Sequence, residues 1–297
     1  MDYYPDLYFV KLDGRTWYNA TMKRVPAWLI PQPQMRHMEI STFDSPFSRL
    51  PLVDTVQRLG MMSRAPLSSL CLSGLNLYYD PIEASRRPSR SFDGLISLYL
   101  GELDPDAIEH LLDMCVFDNL MTLTLRDCAG VRPRIFDQIS SIVGMLVLDK
   151  FAMTKNNSNP RAKVSHPHAD MIHLLSNWHG IILSISASDA SFDTVISALS
   201  KPTPVQQSLF PGESNLLCPN MQNLIVAACP SLTFDIFKKM IEKRNRKVNY
   251  HDPLWRQKDQ EAPAITKLEI KFSWPKWTRQ QMDWMKTRVA DFQWLEY

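Results

Sequence analysis

The stretch Leu217–Cys229, LCPNMQNLIVAAC, decides how the rest of the chain is read. Met221, Leu224 and Val226 stand at intervals of three and two, and Cys229 follows three residues later. A helix spaces its apolar face by three and four; a half-buried strand spaces it by two. The mixture carries meaning only if it recurs, and it does. Apolar-x-x-apolar-x-apolar matches Leu7, Val10, Leu12, then Met35, Met38, Ile40, then Leu67, Leu70, Leu72. It returns at Leu95, Leu98, Leu100, at Leu120, Leu123, Leu125 and at Val143, Leu146, Leu148. A degenerate copy falls at Leu183 and Ile185, and the last match is Ile265, Leu268, Ile270.

Segments of helical period lie between these matches. One face carries Ile108, Leu111, Leu112 and Cys115; another carries Ile236, Phe237, Met240 and Ile241. Phe192, Val195, Ile196 and Leu199 form a third, and Met282, Met285, Val289 and Phe292 a fourth. Asp104 before Pro105, Thr233 and Thr278 are helix-start residues. The unit is a strand, a turn and a helix, repeated about eight times at the 20–50-residue periods of solenoids. A doubly wound sheet also alternates strand and helix. Its buried parallel strands read as continuous Val/Ile runs, whereas LTLR and LEIKF alternate apolar and polar. Positions such as Leu224 and Val226 then point two apart into the core. Cys229, and Cys128 in the same place after Leu123 and Leu125, sit where the chain turns away. There a buried thiol can donate to the turn's backbone.

Composition narrows the function classes. The chain has 297 residues, and 33 basic against 31 acidic side chains leave a net charge of +2. That balance gives no electrostatic reason to expect nucleic acid or an anionic membrane as partner. No apolar run reaches the roughly 18 residues that span a bilayer, and the N-terminus lacks signal-peptide character. Five scattered cysteines read as reduced thiols of a cytoplasmic or nuclear protein. Only 9 glycines against 21 prolines argue against glycine-rich phosphate loops.

LCPNMQNLIVAACPSLTFDIFKKMIEKR resembles the leucine-rich repeats (LRR) of F-box/LRR proteins, of the fungal type. It carries Cys218-Pro219, Leu224, Cys229-Pro230, Leu232, Thr233 and Arg244 at the family's repeat positions. FDNLMTLTLRDCAGVRPRIFDQI is the second copy. The resemblance implies an α/β leucine-rich-repeat solenoid with irregular repeats, a curved parallel sheet inside and helices outside. It would be a single module over 1–297, with loop insertions near 78–93, 155–168, 201–215 and 245–263. It further implies the substrate-binding part of an SCF-type ubiquitin ligase adaptor, non-enzymatic and without cofactors. The family's F-box is not visible: SRLPLVDTVQRLG (48–60) begins with Leu-Pro but reads as a repeat helix. A Skp1-type linker is therefore a partner only if an F-box lies upstream. The alternative is an LRR scaffold with no ubiquitin role.

The concave strand face is the expected surface for a protein target. Its outward residues are Lys11, Glu39, Cys71, Tyr99, Thr124, Ile225 and Glu269, flanked by Arg126 and Lys271. Other clusters have plainer readings. His166, His168, His173 and His179 lack further ligands at zinc-motif spacing beyond Asp170, and read as surface histidines. No nucleophile, His and acid stand together as catalysis requires. Lys243–Lys247, KRNRK, could import the chain into a nucleus or bind phosphate, but cations also complement a helix C-terminus. Ser89 in RRPSR could be a phosphorylation site, although exposed-loop chemistry alone would look the same, and the acceptor motifs at Asn19 and Asn156 read as coincidences. The C-terminal aromatics Trp274, Trp277, Trp284, Phe292, Trp294 and Tyr297 are expected to seal the last repeat, with a partner pocket as the alternative.

Overall fold

A computed structural model describes residues 8–22, 35–41, 49–62, 67–85, 89–128, 142–150, 172, 175–176, 178–186, 192–200, 217–229, 232–245, 264–272 and 276–296. The chain divides into two compact units, Met1–Ile135 and Phe136–Tyr297. Both are α/β, built from parallel five-residue strands with helices packed on one side.

In the first unit the elements run β1 (Phe9–Asp13), α1 (Gly14–Met22), β2 (His37–Ser41), β3 (Leu50–Pro51), α2 (Leu52–Met62), β4 (Ser69–Ser73) and β5 (Leu77–Tyr78). They continue with α3 (Pro81–Ser85), β6 (Arg90–Ser91), β7 (Ser97–Gly101), α4 (Pro105–Met114), β8 (Cys115–Val116) and β9 (Thr122–Arg126). The main sheet pairs β1 with β2, β2 with β4, β4 with β7 and β7 with β9, all parallel. Two-residue pairs, β3 with β5 and β6 with β8, lie outside it. The second unit holds β10 (Met145–Asp149), β11 (Ile182–Ser186), α5 (Phe192–Ala198), β12 (Asn223–Ala227), α6 (Phe234–Arg244), β13 (Lys267–Lys271), α7 (Arg279–Lys286) and β14 (Asp291–Leu295). Its strands pair in chain order, again parallel.

All nine matches of the three-then-two rhythm are strands. The second and fourth residue of each are buried; the odd ones, Gly101 and Glu269 excepted, are open or half-open. The apolar residue that leads each complete match in the described segments, such as Leu67, Leu120 or Met221, is buried just before its strand. It packs beneath the sheet from the turn, which is why the first interval is three. A tenth strand, β14, departs from expectation. Phe292 continues the helical face of Met285 and Val289 in sequence, yet the helix stops at Lys286 and residues 291–295 pair with β13. Residues 78–93, read as a loop, hold α3 and β6 in place of an irregular excursion. The insertions 155–168 and 201–215 and nearly all of 245–263 lie outside the described residues.

Helix starts follow local chemistry. The Asp104 carboxylate accepts from Asp106 N at 2.9 Å with Pro105 at the first helical position. Thr278 and Gln281 form a reciprocal capping box at α7. Thr233 stands at the N-cap of α6 without a side-chain cap bond.

Two backbone devices recur at the strand ends. At the start, two successive N–H groups share one carbonyl of the strand before: Ser68 and Ser69 donate to Arg36 O at 2.8 and 2.9 Å, and Gln222 and Asn223 to Ile181 O at 2.9 and 3.1 Å. At the exit, one residue turns left-handed: Gly74, Glu102, Asp127, Lys150, Ala228 and Phe272 have φ between 46° and 64°. Five of the six are not glycine, and each such residue costs roughly 1–2 kcal/mol. The turned N–H then donates to the last carbonyl of the next strand, as Glu102 does to Arg126 O at 2.9 Å and Ala228 to Lys271 O at 2.9 Å. The cysteines sit just beyond. Cys128 donates to Arg126 O at 3.1 Å and to Leu100 O at 3.4 Å, and Cys229 to Ala227 O at 3.2 Å, both fully buried.

Side chains tie neighbouring repeats. Asn119 donates to Asp93 O at 2.7 Å and Asn220, three residues before its strand in the same way, to His179 O at 3.1 Å. The buried Arg244 guanidinium donates to Leu199 O at 3.1 Å, Cys218 O at 3.2 Å and Leu217 O. KRNRK is thus not uniformly a solvated helix end. Asn245 donates to Ile265 O and Arg288 O at 2.9 and 2.8 Å and accepts from Ile265 N at 2.9 Å. Trp178 donates to Val143 O at 3.0 Å over Gly180. At the C-terminal edge Trp277, buried, meets Phe234, Phe237, Phe292 and Trp294 at centroid distances of 5.2, 5.3, 6.1 and 5.0 Å. Phe292 and Trp294 pair with the buried Leu268 and Ile270, so these aromatics cover the inner face of the last strand. Trp274 and Tyr297 lie outside the described residues.

Two substitutions test this packing by denaturant unfolding. A Cβ at Gly180 would stand 2.3 Å from Trp178 Cζ2 and 2.5 Å from Val143 O. Gly180→Ala is expected to lower stability by about 2–3 kcal/mol, as overpacking does. Arg244→Ala removes a donor from three buried carbonyls, of which Cys218 O keeps the Met221 N–H, and is expected to lose roughly 3 kcal/mol, where an exposed lysine such as Lys239 changes little.

Candidate functional site

Parallel pairing without slip turns the outward positions into rows. Lys11, Glu39, Cys71, Tyr99 and Thr124 are successive cross-strand partners in the first unit. Arg126 belongs to the parallel row Asp13, Ser41, Ser73, Gly101, Arg126. In the second unit the middle row is Val147, Ser184, Ile225, Glu269 and Gln293, and Lys271 lies in the row Asp149, Ser186, Ala227, Lys271, Leu295. Five of the residues read from sequence therefore line up as one row with Arg126 beside it; Ile225, Glu269 and Lys271 gather in the other unit. Val147 and Ser184 were missed, although each is the middle residue of its strand, and Gln293 belongs to the unrecognised β14.

The first unit's open rows are mostly polar, those of the second mix polar residues with Val147, Ile225 and Leu295, and several charges on both are paired. Lys11 Nζ lies 2.7 Å from Glu39 Oε1, and that carboxylate raises the lysine's pKa. Lys271 Nζ lies 2.9 Å from Glu269 Oε1, whose side chain is only 10% exposed. Lys267 reaches Asp291 at 3.8 Å across the strands, and Arg126 reaches Asp127 at 3.5 Å. Around them stand Ser41, Ser69, Ser73, Ser97, Thr122 and Thr124. Tyr99 is the large side chain among them. A Cβ at Gly101 would fall 2.8 Å from its Cε1 and 2.9 Å from Ser73 Oγ, so the phenol lies over the bare Cα of Gly101. Such a surface can hydrogen-bond, stack and exchange ion pairs.

The remaining candidates separate from it. His166, His168, His173 and Asp170 lie outside the described residues, and His179 is exposed. Among the described residues no group of three or more His, Cys, Asp or Glu side chains is placed to hold a metal ion. All five thiols are free. Burial pushes Cys218 up to about 12, with the nearby Arg244 working against it, and raises Cys115 and Cys128 as well. Cys71, half-open on the sheet face, is pushed up to about 11, by burial first and the Glu39 charge second.

No protein-family model matches this chain, and no curated protein matches it either.

Because the thiolate is the nucleophile, the Cys71 shift gives a pH signature. Iodoacetamide should label Cys71 first in the native chain, with Cys115, Cys128, Cys218 and Cys229 reacting only under denaturant. The Cys71 rate should rise about tenfold per pH unit from 7.5 to 9.5, where an ordinary thiol near 8.5 levels off. Peptide mapping by mass spectrometry reads both outcomes.

Proposed function

We propose that this chain is a non-enzymatic protein-recognition module of the leucine-rich-repeat type, a solenoid of irregular strand–helix units that presents its open strand rows to a protein target. The observation that carries the reading is the slip-free ladder. It brings Lys11, Glu39, Tyr99 and Thr124 into one line, and Ile225 and Glu269 into another, from residues dozens of positions apart. The recurring strand starts and left-handed exits support a repeat architecture, in which each unit is stabilised by its neighbours. The paired charges favour a protein target over nucleic acid or an anionic membrane, since little unbalanced charge is left to attract a polyanion. Among the described residues no helix is long and apolar enough to cross a membrane.

By its resemblance the module would be the substrate-binding part of an SCF-type ubiquitin ligase adaptor, acting in the cytoplasm or nucleus. A scaffold without a ubiquitin role is the second reading, and α2 favours it. The Leu-Pro stretch that comes nearest to an F-box start is a helix whose Leu52, Val53, Val56 and Leu59 are buried in its own unit. That packing supports reading the stretch as a repeat helix over an F-box start.

Affinity capture with the full-length chain tests the reading. Tyr99→Asp or Ile225→Asp should reduce recovery of a specific target at least about tenfold, as loss of an interface anchor does, while the melting temperature holds. Targets indifferent to both substitutions would overturn recognition by the open rows. Pull-down of a Skp1-type linker by the full-length chain supports the adaptor, and its failure leaves the scaffold.

A further inference from the structure

Lys243, the exposed residue of KRNRK among those described, borders a cleft beside α6 in the second unit. Its volume is about 490 Å³, and it is lined by Lys239, Ile241, Glu242, Lys243, Asn245 and Arg288. That size lies within the roughly 300–1,000 Å³ of small-molecule sites. Lys239 and Lys243 stand one turn apart on α6, so their ammonium groups share a face. Arg288 approaches from the turn that follows α7. The two walls are tied together: Asn245 Nδ2 donates to Arg288 O at 2.8 Å, and its side chain also holds Ile265 on both backbone groups. The cations are thus placed by fixed backbone.

Among the described residues no carboxylate lies within ion-pair reach of Lys239, Lys243 or Arg288, although Lys286 and Arg279 nearby on α7 both reach Asp283. Among the described lining residues, three cations against the one carboxylate of Glu242 leave an excess of two positive charges. The C-terminal end of α6 opposes an anion with about half a negative charge, which the excess outweighs. Arg288 and Lys238 also lie 6.0 and 5.6 Å from the Trp284 ring centroid, so the indole braces the arginine.

We propose that this cleft binds a phosphate dianion, either free or carried as the monoester of a small molecule. Two lysines act as point charges, and the planar guanidinium can take two phosphate oxygens at once. Isothermal titration of the full chain at constant ionic strength, with inorganic phosphate in one arm and glycerol 3-phosphate in the other, tests it. Saturable one-to-one binding is expected in at least one arm; tighter ester binding identifies the small-molecule source, and equal binding identifies the phosphate group alone. Lys243→Gln and Arg288→Gln should each weaken binding at least tenfold. Arg288→Gln leaves the backbone carbonyl that Asn245 holds, and a circular-dichroism melt checks that both variants fold. Lys286→Gln, which removes a cation outside the cleft, should leave affinity unchanged. Absence of saturable binding in both arms overturns the proposal, as does retention of affinity in both cleft variants or an equal loss in Lys286→Gln.

Discussion

The structure depends on satisfying backbone amides at the ends of very short strands. A five-residue parallel strand exposes a large share of its N–H and C=O groups at its two ends, and each one buried without a partner costs about 1–3 kcal/mol. One carbonyl serving two N–H groups at most strand starts, and a left-handed residue handing its N–H to the next strand at most exits, lengthen the ladders beyond their five residues. The strain at Glu102 or Phe272 is of the same size as the penalty it avoids. Both devices also lock register, because a slip of one residue would misplace the shared carbonyl and the turned amide together. From that lock follow the buried second and fourth positions, and from those the outward rows.

Side chains add what the backbone leaves over. Cys128 and Cys229 place a small weak donor at the turn, a second partner for a carbonyl such as Arg126 O, which the Glu102 N–H also serves. Arg244 gathers three carbonyls around a guanidinium that burial disfavours in its charged form; the hydrogen bonds, not a counter-charge, keep it there. Asn245 is suited to its place because an amide donates and accepts at once, which neither aspartate nor leucine could do.

Much of this was legible in the residues, for a physical reason. Burial on one face imposes a period of two inside each strand, and the residue packed under the sheet from the turn adds the interval of three, so Leu98, Leu123 and Leu224 announce themselves. The caps at Asp104 and Thr278 are local and were equally readable. The left-handed exits were not: Gly74 alone carries the glycine signature, and Lys150 or Ala228 takes the conformation because the ladder forces it. Strand β14 was hidden because Phe292 continues the spacing of the helix before it, and only pairing with β13 decides otherwise. Within KRNRK, the composition of Lys243 and Arg244 is alike, and depth alone tells the cleft lysine from the buried clamp. The row members were visible one strand at a time, but their alignment required the zero offset that no single strand reports.

Pairs such as Lys11 with Glu39 in the first unit and Lys271 with Glu269 in the second would make any selectivity of their open faces one of barter. An incoming carboxylate gains from Lys271 only the difference between itself and the occupant it displaces, and that occupant, mostly enclosed, then needs a new donor. Diffusional attraction over a Debye length is correspondingly faint. Any guest on the first unit's face would have to be chosen at close range, by fit against the Tyr99 ring and the hydroxyls around it, and its arrival would be slow and nearly indifferent to added salt.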